Sequence, residues 1–247
     1  MMNQILLSYG ATGPTPSQVK LLLHADTLVN SGQNLLDYSI YGRTVTKHQS
    51  VGISATAKFG AGSTYVTFGA FTNSITYFDA PDSSDLEFAG QDFCVDCWIR
   101  WANRGGTGYW SPIVSNKGSA SPNLEHRLGF IRSGASDCIP YFYYSTNGTS
   151  YATAIQGGTF SPTLDTWYHF ACTKSGSDLR FFINGNQSGT TGTVSGTIYS
   201  GSGDWTWWGT DTGTLGITGD SFMDELRIVV GQAVWTANFT PPTSAYT

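Results

Sequence analysis

The stretch from Phe93 to Trp101 constrains the fold more than any other part of the chain. Phe93, Val95, Cys97, Ile99 and Trp101 alternate with Cys94, Asp96, Trp98 and Arg100. Successive side chains of a strand point to opposite faces, so this period of two predicts a β-strand with one wholly apolar face. A face of that kind has to be buried against a second layer.

The same signal recurs along the chain. A strand is expected from Val19 to His24, with further short ones at Lys58-Phe59, Tyr65–Phe68 and Ser74–Phe78. Trp167–Lys174 is followed by a turn at Ser175–Asp178, by Leu179–Ile183 and by Asn184-Gly185. That dipeptide tolerates the positive φ of a type I′ turn and predicts a hairpin. Trp205–Trp208 and Ser221–Val230 close the series, and no amphipathic helix of useful length occurs. Thirty glycines, 12% charged residues and 14% aromatics fit many short strands joined by tight turns. At 247 residues a single β core is expected.

The predicted architecture is all-β: a two-sheet antiparallel jelly-roll sandwich over 18–247, preceded by an extended N-terminal arm and linker over 1–17. The arm holds the apolar patch Ile5, Leu6 and Leu7, then a stretch rich in Gly, Thr and Pro from Gly10 to Ser17. It cannot bury that patch within itself. It is expected to pack back on the domain, stay disordered, or add a strand to another protein's sheet edge, which marks the three residues as candidate assembly contacts.

Several function classes are disfavoured at once. A net charge of -5 and a pI near 5.2 supply no basic surface for phosphates, so no nucleic-acid partner is expected. No run of about 18 apolar residues exists to cross a membrane, and the opening MMNQILLSYG lacks the regions of a signal peptide. The protein is expected to be made in a cytoplasm and not exported by that route. Cys94, Cys97, Cys138 and Cys172 are read as reduced, buried thiols, because the spacing of Cys94 and Cys97 throws their sulfurs to opposite faces of a strand.

Catalysis finds little support. There are three glutamates, Glu87, Glu125 and Glu225, and none stands in a Glu-x-Asp-x-Glu pattern. Asp224 and Glu225 are adjacent, so on a strand they face opposite ways and cannot flank one glycosidic bond. Glu225 is expected to partner Arg227 or a loop amide, and His169 to be a packed strand residue. No Gly-x-Ser-x-Gly elbow occurs. Aromatic side chains are the better candidates for a site, since flat rings stack on sugar C–H faces. Trp110, Tyr141, Tyr143 and Trp207 are expected to face outward as glycan-binding residues.

Three segments in order resemble the concanavalin-A-like domains related to laminin G and the pentraxins. They are DFCVDCWIR (92–100), WYHFA (167–171) with Gly176, Leu179 and Asn184-Gly185, and FMDELRI (222–228). The resemblance covers about 19–247 and implies the jelly-roll sandwich. It also implies the option of one structural calcium, for which Asp26, Asp37 and Asp224 are the candidate ligands; the alternative is that they cap turns through backbone amides. The opening LLLHAD (21–26) and closing NFTPP (238–242) are similar to virion proteins of tailed bacteriophages and to bacterial surface proteins. This similarity implies a non-catalytic virion component, as tail fibre, baseplate accessory or capsid decoration. Such a protein would be present in many copies or as a homo-oligomer and would bind a host-surface polysaccharide, other virion proteins, or both. A bacterial lectin-like surface domain and a polysaccharide hydrolase are the alternatives.

Overall fold

A computed structural model of the chain describes residues 13–29, 31–48, 51–66, 76–103, 110–117, 124–152, 154–210 and 220–247. In chain order the first strands are β1 (Val19–Leu23), β2 (Leu28–Val29), β3 (Asn34–Leu36), β4 (Thr44–His48), β5 (Gly52–Ser54) and β6 (Ser63–Val66). Next come β7 (Thr76–Ala80), β8 (Phe93–Trp101), β9 (Trp110–Lys117), β10 (Leu124–Arg132), β11 (Cys138–Tyr144) and β12 (Ile155–Gln156). The last are β13 (Trp167–Ser175), β14 (Asp178–Ile183), β15 (Asn186–Gln187), β16 (Gly192–Thr193), β17 (Trp205–Thr210) and β18 (Ser221–Val230). No helix occurs among the described residues.

The strands pair antiparallel into two sheets that face each other as a jelly-roll sandwich. The first runs β15-β14-β13-β8-β18-β6-β5, with β1 beside β18 and β16 beside β14. The second runs β12-β11-β10-β9-β17-β7-β4-β3-β2. Alternation in β8 works as expected: Phe93, Val95, Cys97, Ile99 and Trp101 all enter the core between the sheets. There Phe93 stacks on Phe88 at 3.9 Å, and Trp101 meets Phe130 edge to face at 5.3 Å. Each fully buried side chain of this size contributes about 1.5–3 kcal/mol, so β8 alone anchors several neighbours. The four cysteines are free and buried, Cys97 and Cys172 in this core and Cys94 on the other side of the sheet.

One expectation on strands is revised, and one on a turn is extended. Lys58 and Phe59 do not form a strand. They sit in a bend whose backbone amides both donate to Asp224 Oδ2, at 2.8 and 3.1 Å, so their polar groups are met by a side chain and not by a ladder. The Asn184-Gly185 hairpin does form, with φ of 48° and 76°, but the glycine has a second duty. A Cβ there would lie 1.9 Å from the carbonyl oxygen of Phe239, because the C-terminal tail crosses directly over the turn.

That tail changes the meaning of the outer face of the first sheet. Cys94, Ala171, Phe182 and Val229 point away from the sandwich core yet are buried under Val234, Trp235 and Phe239. Trp235 and Phe239 stack on one another at 4.0 Å, and Phe239 packs edge-on against Phe182 and His169. The Phe239 amide donates to the Gly185 carbonyl, and the Gln187 amide to Asn238 Oδ1. The middle of the first sheet is thus buried on both faces. Trp235→Ala is expected to lower stability by roughly 3–5 kcal/mol, as for other large buried rings, when measured by denaturant unfolding. A loss under about 1 kcal/mol would show that the tail is not a structural roof.

Candidate functional site

The tail closes over an ionic cluster. Asp96, on the outer face of β8, is fully buried and accepts from Arg227 Nε at 3.0 Å and from the Tyr246 hydroxyl, with His169 Nε2 3.4 Å away. Burial pushes the Asp96 carboxyl up, but Arg227 and then His169 outweigh it and hold the group below the usual carboxylate range. Burial lowers His169, against the pull of Asp96. The Arg227 guanidinium lies 3.9 Å from the Tyr246 ring centre. Every member is held by another member; Asp96 and His169 are fully buried, and Tyr246 covers them from the half-buried edge of the cluster. His169 is therefore a packed and hydrogen-bonded strand residue.

The acidic pair Asp224-Glu225 separates at a β-bulge, where Glu225 takes φ of 53° and the register with β8 shifts. Asp224 caps the Lys58 and Phe59 amides. Burial raises its carboxyl to about 7. Glu225 bonds His24 Nδ1 at 2.8 Å and accepts the Tyr246 amide at 2.9 Å. The loop-amide expectation for Glu225 holds, while Arg227 pairs with Asp96. Asp26 Oδ1 accepts the Ala61 and Gly62 amides at 2.5 and 3.1 Å. Asp37 accepts the amides of Leu22, Ser39 and Arg43. N–H donors converge on all three aspartates, a field that repels a cation, and so the set does not fit a calcium ion. No group of three or more His, Cys, Asp or Glu among the described residues is placed to hold a metal.

The structure brings together a pair of glutamates that adjacency in sequence does not announce. Glu87, before β8, and Glu125, on β10, meet inside one end of the sandwich, 8% and 0% exposed. Burial and then Glu125 raise the Glu87 carboxyl; burial raises Glu125 against the Gly201 amide, which donates at 2.6 Å. Both lie too deep to flank a substrate bond.

The aromatic expectations divide. Trp207 is 1% exposed and faces the core beside Trp205, because β17 is a central strand whose odd-numbered residues point inward. Tyr141 is on the outer side of β11, since Phe142 and Tyr144 enter the core, yet it is 0% exposed and packs against Tyr143 at 5.4 Å. Neither can stack on a sugar as placed, so both expectations of exposure are overturned. Trp110 begins β9, and its side chain lies outside the described residues. Ile5, Leu6 and Leu7 also lie outside them.

Tyr143 is partly exposed. Arg127 stands opposite it on β10, and Tyr151 lies 5.6 Å from its ring with the Arg127 guanidinium 5.8 Å from the Tyr151 ring centre. Two half-buried phenols and one half-buried guanidinium thus form a ledge on the outer face of the second sheet. Sequence reading places Tyr151 among the candidate aromatic residues without choosing it as one of the outward-facing four, and misses Arg127, although the run of aromatics in β11 marks the place. A second surface feature is a groove of about 650 Å³ between the lead-in Gly13–Pro16, the loop Tyr38–Ile40 and the tail Pro242–Thr247.

The family model described as the concanavalin A-like lectin/glucanases superfamily matches residues 62–232. No curated protein matches the chain. Among solved structures, the binding domain of Paraclostridial mosquitocidal protein 1 superposes with a TM-score of 0.63 at 14% identity, over 88% of this chain and 50% of that one. A structure of botulinum neurotoxin type C, whose cell entry is described as dependent upon interaction with two ganglioside molecules, gives 0.62 at 15% identity over 88% and 49%. The binding domain of botulinum neurotoxin DC, in complex with rat synaptotagmin II, gives 0.60 at 15% over 87% and 48%. At such identities the likeness is one of fold, and this chain spans about half the length of those structures.

Carboxyls that hold protons more tightly folded than unfolded make stability fall as pH rises, from the ordinary carboxyl range near 4 to beyond the raised value. Thermal unfolding at about pH 5 and about pH 8.5 should show lower stability at the higher pH. Glu87→Gln, which keeps the shape without the charge, should narrow that difference; an unchanged difference would place the linkage elsewhere.

Proposed function

Because the chain belongs to the concanavalin A-like lectin/glucanases superfamily, we propose that it is a non-catalytic binding domain that recognises a host-surface glycan from a tailed-phage virion. The ledge of Tyr143, Tyr151 and Arg127 carries this reading. Phenol rings offer flat apolar surface to the C–H face of a sugar while their hydroxyls reach polar groups, and the guanidinium donates to ring oxygens or acidic substituents. Arg127 and Tyr143 stand on paired strands and Tyr151 is bridged to Ser145, so the geometry of the ledge is set before a ligand arrives and little ordering cost falls on binding.

The chemistry of the acids supports a binding role. Asp224 and Glu225 are committed to backbone amides and to His24, and Glu87 and Glu125 are enclosed. Neurotoxin domains of the same fold are described with gangliosides or with synaptotagmin, which supports recognition of a cell-surface molecule. The virion setting rests on the similarity of the opening LLLHAD and the closing NFTPP to phage virion proteins. Display in many copies would turn weak single-site affinity into firm attachment.

Wild-type protein immobilised in many copies is expected to bind host polysaccharide. Tyr143→Ala and Tyr151→Ala should each weaken binding about tenfold, the loss of roughly 1.4 kcal/mol, with the domain still folded at the assay temperature. Absence of binding by the wild type across host capsule and lipopolysaccharide preparations would overturn the glycan reading. Immunogold labelling of intact particles tests the virion setting separately.

A further inference from the structure

Arg127 differs from the other described arginines in what its guanidinium meets. Arg43 pairs with Asp85, Arg100 with Asp165 at 2.6 Å, Arg180 with Asp178 at 2.7 Å and Arg227 with Asp96 at 3.0 Å. Arg132 donates to the Gly134 and Ala135 carbonyls. Arg127 has neither a carboxylate nor a carbonyl acceptor among the described residues, and its side chain lies against the Tyr151 ring. The one acid on its own strand, Glu125, turns inward to the Gly201 amide and to Glu87. Five N–H donors in a planar fork thus stand half-buried on the ledge, and no protein oxygen among those described repays the water they give up.

The sheet fixes where this fork sits. Arg127 is paired with Tyr143 on one side and with Ser115 on the other, and the Ser115 hydroxyl is already engaged by Thr206 at 2.5 Å. A guanidinium fork fits two oxygens of one anionic group, carboxylate or phosphate, through two parallel charge-assisted bonds. The phenol rings beside it offer apolar surface to sugar C–H faces. Nucleic acid would need a row of cations along its backbone, and a ledge with one guanidinium on a chain of net charge -5 does not supply it. The arrangement suits a polymer that presents single acid groups between sugar faces.

We propose that the ledge selects acidic polysaccharides, Arg127 holding the oxygens of a carboxylate or phosphate substituent while Tyr143 and Tyr151 take the adjoining sugar faces. This specificity rests on the glycan reading of the same ledge and adds the class of sugar to it.

Binding of the full chain to hexuronate-bearing, phosphate-bearing and neutral bacterial polysaccharides tests this. The polymers bound are expected to carry acid groups. The tightest of them should lose about tenfold or more in affinity once carboxyl reduction or mild hydrofluoric acid removes the group, and the treatment that acts tells carboxylate from phosphate. That comparison needs no variant, so a folding defect cannot mask it. Arg127→Gln should weaken binding of the untreated polymer by a similar factor, leave binding of the treated one unchanged, and keep the domain folded at the assay temperature. A preference for neutral polymers, or an equal effect of Arg127→Gln on treated and untreated polymer, would overturn the acidic specificity while the glycan reading stands. Absence of binding to every polymer would overturn both.

Discussion

The carboxylate of Asp96 is the point on which the first sheet depends. It sits at the centre of β8 with no access to water, and an isolated buried charge of that kind would cost several kcal/mol. Arg227 from β18 neutralises it, and the Tyr246 hydroxyl and His169 take up its remaining capacity. Tyr246 is held a second time through its amide by Glu225 and a third time by the guanidinium against its ring. The ion pair therefore needs the tail as cover, and the tail needs the ion pair as anchor. This mutual need explains why the sheet is buried on a side that a two-layer sandwich would leave wet.

The bulge at Glu225 makes the arrangement possible. One extra residue in β18 lets Asp224 reach the Lys58 and Phe59 amides while Glu225 turns to His24 and Tyr246, and Leu226 still enters the core. A regular strand could not serve those partners and keep register with β8 on both sides of the shift. Acidic residues that resemble a catalytic pair in sequence are in this way joints of the scaffold. On the outer face of the second sheet, by contrast, Tyr143, Tyr151 and Arg127 remain partly open.

Much of the fold was legible in the sequence because it rests on local rules. The alternation from Phe93 to Trp101 and the Asn184-Gly185 turn act through neighbouring residues, and both appear as expected. What escaped depends on contacts between distant segments. Period two does not fix which face of β11 is outward; the parity chosen for Tyr141 is the outer one, but the pattern carries no information on its packing against Tyr143. For Trp207 the parity had to be chosen, and the pairing of β17 between β9 and β7 decided it the other way. Glu87 and Glu125 are 38 positions apart and share no motif. One signal for the covered outer face was present: β18 is apolar at both parities, with Phe222, Met223, Leu226, Ile228, Val229 and Val230, as strands buried on two faces are.

The central claim, that Asp96 and Arg227 form one unit sealed by the tail, is tested most directly by a double-mutant cycle in denaturant unfolding. Arg227→Met alone leaves a buried carboxylate without its cation and should cost roughly 3–5 kcal/mol, and Asp96→Leu alone should be similarly severe. The double variant, apolar at both positions, should lose no more than either single variant. Losses that simply add, as they do for unconnected sites, would contradict the account.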